Sequence, residues 1–260
     1  MELATPISKL FDSREWAERI IDASDCLECR AESPPLKYPK QHLFHFDLNI
    51  IHEWNREQKD YLYLAILSKP ELKLITFHMA SSYRNASFKD GMFFPNGRPY
   101  SREELLLNAE ENITWLHAFI GEDISIGVEN NNYYPIPAYR YVSDGDFITQ
   151  VVVDNNISFL FDIAHARITA HNKGISYEDY RSTLPLNFVI QLHICKHGIN
   201  EKNLAWDAHE LPDESILQEI EEIINRHPFK YLTIEYYKDI DNLLQILGRC
   251  KKLKRVFING

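Results

Sequence analysis

Residues 157–165, ISFLFDIAH, decide how the rest of the chain is read: an apolar run, ISFLFDI, carries the acid Asp162 near its end, and His165 follows three residues later. Seven more short apolar or β-branched runs lie at 2–6, 24–31, 41–48, 72–79, 124–130, 188–194 and 231–237. Between most of them stand longer amphipathic stretches, at 13–23, 56–68, 101–120, 143–154, 176–182, 213–227 and 239–251. Short strands alternating with helices are the pattern of βα units around a parallel sheet. Eight such runs in 260 residues predict one domain, residues 1–260, folded as a (β/α)₈ TIM barrel.

Local signals agree. Ser101 and Glu104 form an S-x-x-E capping box ahead of an apolar 3–4 period, and Asp213 is placed to cap a later helix. The link from Glu32 to Lys40 contains three prolines and cannot hold a regular helix, a departure from the ideal barrel. Residues 80–100, ASSYRNASFKDGMFFPNGRPY, have no period; a loop of that length in a compact domain is usually functional, and it reads as a substrate lid.

Composition bounds the function. A 45% apolar and 25% charged chain builds a large core and is not disordered. No signal-peptide segment and no membrane span is present, so a soluble cytoplasmic protein is expected. The four cysteines are too scattered for a disulfide framework, and the net charge of −10 opposes general nucleic-acid binding.

Histidines and carboxylates gather at the ends of the expected strands. His45 falls on the third, His78 on the fourth, Glu129 on the fifth, Asp162 on the sixth, His193 on the seventh and Glu235 on the eighth. His165 follows Asp162, and Asp207 and His209 form a D-x-H pair after the seventh strand. In a TIM barrel the C-terminal strand ends converge on one mouth, so these five imidazoles and four carboxylates become neighbours. A mixed nitrogen and oxygen set without thiolate suits Fe, Mn or Zn. Four carboxylates in one cavity resist ionisation unless cations are supplied, and three divalent ions would bring six positive charges against four negative. A single strand-end His or Asp is commonly only a hydrogen-bonded loop residue; recurrence on six strands is what argues for metal.

Other candidates carry less. Cys26-Leu-Glu-Cys29 has C-x-x-C spacing but lies inside an expected strand with no second pair, which reads as core packing. His42, near a strand start, reads as structural; His117 and His227 belong to helices, and His52 carries no signal. His197 and His171 each follow a ligand-bearing strand and form a second tier of catalytic candidates. No glycine-rich phosphate loop and no nucleophile elbow is present, so neither a nucleotide cofactor nor a serine triad is indicated.

The ordered ligands resemble those of the xylose-isomerase-like barrels, and two branches of that superfamily compete. The series His45, His78, Glu129, Asp162-x-x-His165, His193, Asp207-x-His209, Glu235 is similar to the trinuclear zinc set of endonuclease IV. Over residues 97–240 the chain resembles the multinuclear non-heme iron-dependent oxidative enzymes that include the methanobactin-biosynthesis oxidase. The stretches IGVENNNYY, ISFLFDIAHARITAHN, VIQLHICKHG, WDAHELP and LTIEYY carry that likeness. Glu129, Asn130, Asp162, His193, His197, Asp207, His209 and Glu235 match that family's pattern. Ala164 and His165 stand where it has asparagines, and of its third-strand motif only His45 carries across.

The resemblance implies two or three divalent ions, iron favoured and zinc or manganese as alternatives, and oxidative chemistry on a peptide or small thiol-containing substrate. His197 would orient substrate or add a ligand. Because the barrel uses the whole chain, a peptide would need a separate substrate-delivery protein. The alternatives are a zinc or manganese sugar isomerase or epimerase, an endonuclease IV-like phosphodiesterase, and a non-catalytic metal-binding scaffold. Lys89, Arg98 and Arg102 are the few basic residues offered to DNA near the mouth, so a nucleic-acid partner is not expected.

Overall fold

The structure, a computed structural model, describes residues 1–31, 33, 38–121 and 123–258. Eight parallel strands close into a barrel: β1 (Glu2–Pro6), β2 (Cys26–Cys29), β3 (Gln41–Asn49), β4 (Leu74–His78), β5 (Ser125–Glu129), β6 (Ser158–Asp162), β7 (Val189–Ile194) and β8 (Tyr231–Ile234). Each pairs with its neighbours in sequence, and β8 returns to β1. The (β/α)₈ expectation is met. The proline-rich link lies mostly outside the described residues.

Helices α1 (Arg14–Ala23), α2 (Arg56–Leu67), α3 (Arg102–His117), α4 (Gly145–Asp154), α5 (Ile163–Lys173), α6 (Tyr177–Ser182), α7 (Glu214–Arg226) and α8 (Ile240–Ile258) surround the barrel. Their starts follow local chemistry. The Ser101 hydroxyl accepts from Glu104 N while the Glu104 carboxylate accepts from Ser101 N, the capping box read in the sequence, and Asp213 caps α7. The register then sets heights around the mouth. Asp162 is the Cα partner of His193, His193 of Thr233, and His45 of Thr76, so side chains far apart in sequence share a level.

Most of the core lies in one large cluster of buried side chains, including Phe44, Phe77, Phe147 and Phe161. A separate small cluster, Ala4, Cys26, Leu43, Leu74, Ile190 and Tyr231, gathers near the starts of six strands. Cys26 and Cys29 are buried thiols that form no disulfide among the described residues.

Three features differ from expectation. Helix α5 follows β6 immediately, because the Asp162 carboxylate caps it by accepting from His165 N; a strand-end ligand and a helix N-cap coincide in one residue, which masked the helix. Residues 87–94 form a hairpin, Ser87–Lys89 with Met92–Phe94, rather than an irregular loop. A second hairpin, Lys196–Ile199 with Ala205–Glu210, carries Asp207 and His209.

Candidate metal centre

Glu129 is the hub. It ends β5 with its side chain only 2% exposed, and its Oε2 lies 3.0 Å from His78 Nδ1 and 3.3 Å from His45 Nε2. Its Oε1 lies 3.2 Å from His193 Nδ1 and 3.7 Å from His165 Nδ1. His193 Nδ1 is also 4.0 Å from Asp162 Oδ2 and 3.5 Å from Glu235 Oε1. On the other side Asp207 Oδ2 is 3.5 Å from His165 Nε2 and 3.1 Å from His209 Nε2, and His209 Nε2 is 3.7 Å from Glu235 Oε2. All nine groups read from the strand ends therefore meet in one place. His45 does so from within β3, which continues to Asn49, and Glu235 from one residue past β8.

The hydrogen bonds fix which nitrogen of several rings is free. His45 Nδ1 is 2.8 Å from Thr76 Oγ1, His165 Nδ1 donates to the Asn130 carbonyl at 2.9 Å, and His193 Nε2 donates to Glu28 Oε2 at 2.9 Å. Each ring is thus oriented through one nitrogen while the other points at a carboxylate of the cluster, the arrangement by which outer partners set metal-ligating histidines. Asp162 divides in the same way: Oδ1 accepts from His165 N, while buried Oδ2 has no hydrogen bond. Glu129 Oε2 and His193 Nδ1 are likewise buried without hydrogen bonds.

Buried polar atoms left unpaired cost about 1–3 kcal/mol each, so three in one cluster call for partners. Donor atoms of His45, His78 and Glu129, and those of Glu129, Asp162 and His193, lie within 4.8 Å of one another, a spacing one cation can span. The residues present fit divalent metal.

Electrostatics agree. Burial raises Asp162 to about 7, whereas Glu129, equally buried, is held well below the carboxylate range by His45 and His165. Burial opposes the charged forms of His165 and His193, but the carboxylates around them keep both well above the usual histidine value. Without a cation the cluster therefore retains protons.

The sequence reading missed a layer beneath this one. Glu28, between the two cysteines of β2, is 1% exposed and takes Gln191 and Thr233 as well as His193 on its Oε2. Arg30 contacts Glu28 Oε1 at 2.8 Å and also pairs with Glu235 Oε1. Burial opposes ionisation of Glu28, yet His193 and Arg30 bring it down to about 2. Cys195 lies at the rim, its thiol 3.5 Å from Asp207 Oδ1; burial beside that carboxylate pushes it far up, so it stays a thiol. His209, which completes the rim, sits at φ 44, a left-handed conformation that a non-glycine residue holds only against strain.

His171 and His197 are not brought into the cluster. His171 Nε2 donates to the Asn203 carbonyl at 3.0 Å, and His197 faces Arg167, His171 and Lys196 on the second hairpin. Neither lines the cavity above the centre. His42 is half-buried with Glu2 at 3.7 Å, and His52 is tied to the Ser81 carbonyl. Arg98 and Arg102 are engaged by Glu104 and by Gln150 with Asp146.

That cavity measures about 1110 Å³ and reaches His78, His165, Asp207 and His209 at its floor. The first hairpin gives it Phe88, Met92 and Phe93, and the second gives Trp206. The expected lid segment is thus a wall of the cavity.

Residues 62–257 match the model of a family described as RiPP precursor modification enzyme MbnB/TglH/ChrH. The chain belongs to this family. The matched span begins earlier than the resemblance read from the sequence and takes in His78, whereas His45 and Glu28 precede it. Curated relatives of this MbnB/TglH/ChrH member include a UPF0276 protein of Rhizobium meliloti (strain 1021), 25% identical over 154 residues, 58% of this chain and 48% of that protein. Another is a UPF0276 protein of Caulobacter sp. (strain K31), 26% identical over 170 residues, 64% of this chain and 59% of that one. The chain spans about half the length of these curated relatives.

Solved structures share the fold. A D-tagatose 3-epimerase-like protein superposes with TM-score 0.64 at 16% identity over 98% of both chains. The IOLI protein with a bound zinc atom gives 0.57 at 12% identity, covering 98% of this chain and 96% of its own. These neighbours share the closed parallel barrel, as the fold expectation required, and the clustered ligands at its mouth form a candidate metal centre.

Proposed function

We propose that the protein is a cytoplasmic enzyme that holds two or three divalent ions, iron by preference, and oxidatively modifies a peptide or small thiol-containing substrate, a peptide being presented by a separate delivery protein. One observation carries the reading: His45, His165 and His193 each spend one ring nitrogen on a fixed protein partner and turn the other toward a carboxylate of the cluster. Membership of a family of precursor-peptide modification enzymes supports the peptide.

In this reading His45, His78 and Glu129 would hold one ion, and Glu129, Asp162 and His193 a second, with Glu235 beside it. Asp207, His165 and His209 form the group for a third. Bound iron would supply Lewis acidity and exchange electrons with O₂. The chain does the rest. Glu28 and the Asn130 carbonyl hold the His193 and His165 imidazoles in their tautomers, and Thr76 orients that of His45. The hairpins wall the approach to the floor. Tyr134 on the cavity wall is pushed up to about 12 by burial, so its hydroxyl keeps its proton and is available as a donor to substrate.

A zinc or manganese centre doing isomerisation or hydrolysis is the second reading, favoured by the fold shared with sugar epimerases and with the zinc-bound IOLI protein. Anaerobic purification followed by element analysis and an absorption spectrum separates the two. Iron with an O₂-sensitive spectrum is the expected result. Colourless zinc would support the second reading, and fewer than one ion per chain would overturn both.

A further inference from the structure

We infer that the cavity recognises a basic peptide segment, a Lys or Arg side chain beside an apolar residue, and rejects an acidic one. This deepens the peptide reading above and rests on it.

The lining sets the charge. Asp47, from β3, and Asp90, at the turn of the first hairpin, face the cavity outside the groups that would hold metal. Among the described residues no Lys or Arg lines it. Asp47 and Asp90 are both exposed, and among the described residues neither side chain has a hydrogen bond or an ion pair. Two carboxylates without counter-ions at the mouth of a concave site focus a negative potential outward, on a chain that already carries a net charge of −10.

The walls set the rest. Phe88 is 66% exposed and Trp206 45% exposed, on facing hairpins, where burial would have been expected of rings this large. Phe88 and Phe93 stand 4.9 Å apart, centroid to centroid. Aromatic faces beside carboxylates favour a cation with an alkyl stem, since the ring takes the stem and the charge together. At about 1110 Å³ the cavity lies at the upper end of the roughly 300–1,000 Å³ of small-molecule sites, so it has room for a short peptide segment.

The test uses the metal-loaded protein and two fluorophore-labelled, end-blocked peptides, Gly-Lys-Phe-Ser-Lys-Gly and the same sequence with Glu for Lys; serine keeps a thiol from reaching the metals. Anisotropy at low salt should show the lysine peptide binding at least tenfold more tightly. The double variant Asp47→Asn with Asp90→Asn should reduce that ratio to within about threefold while the bound metal, measured in parallel, stays unchanged. Asn suits the left-handed φ of 51 at position 90, so the variant keeps the fold. Equal or tighter binding of the glutamate peptide, no binding of either, or a preference that survives the double substitution overturns the inference. Loss of the metal centre itself would instead show in the ion count of the wild-type protein.

Discussion

His193 Nε2 donates to Glu28 Oε2 at 2.9 Å, joining a ring at the end of β7 to a carboxylate on β2 from within the barrel. The bond leaves His193 Nδ1 facing Glu129, Asp162 and Glu235, so a residue that touches no substrate decides how the centre is built. Glu28→Gln keeps the shape but removes the negative charge, and its amide must turn hydrogens toward either Arg30 or His193, both of which are donors here. Metal affinity, measured by chelator competition, should fall by roughly 10–100-fold, the usual cost of losing an outer partner. An unchanged affinity would remove Glu28 from the centre.

Glu129 serves two ion-holding groups, whereas His78 serves one. Glu129→Ala should therefore lose both ions, and His78→Ala should lose only one relative to wild type. Element analysis after gel filtration reads the difference. Equal losses would show that the two groups do not share the carboxylate.

Protonation links uptake to pH. Asp162 at about 7, and His165 and His193 held above the ordinary histidine value, bind protons in the metal-free fold that ions must displace. Because the folded values are raised, their contribution to the metal-free protein is full below the unfolded values, near 3.8 and 6.5, and is lost as pH rises through the folded ones. Metal affinity should accordingly rise with pH from 5 to 8. Calorimetry in buffers of different ionisation enthalpy should show proton release on binding, and none would contradict the assignment.

Much of the centre was legible because six of its ligands lie at or near the ends of short apolar runs, and parallel strand ends must converge. Glu28 was not, because Cys26-Leu-Glu-Cys29 reads as an apolar strand and one inward carboxylate in it looks like noise until its partner His193 is known. Arg30 was hidden in the same way. Helix α5 escaped because its cap, Asp162, had already been taken as a ligand. The two hairpins escaped because short exposed pairs lack the alternation that marks a half-buried strand.

Gly145 opens α4 against Thr183; an added Cβ would lie 1.8 Å from Thr183 Oγ1 and 3.0 Å from its backbone carbon. Gly145→Ala should destabilise the fold by about 1–3 kcal/mol in urea unfolding, the cost of overpacking, with the metal content of the folded fraction unchanged. A neutral result would mean that α6 moves freely away from α4.

Phe88 touches the core little, so Phe88→Ala should change stability by no more than about 0.5 kcal/mol. If the first hairpin is a substrate wall, the same variant should raise KM for a turned-over peptide severalfold and leave kcat nearly unchanged. An unaltered KM would take the hairpin out of recognition.

The centre itself is tested most directly by anomalous diffraction from crystals grown anaerobically with ferrous iron. The account predicts peaks between His45, His78 and Glu129 and between Glu129, Asp162 and His193. A barrel mouth without anomalous density, in crystals where these side chains are ordered, would contradict it.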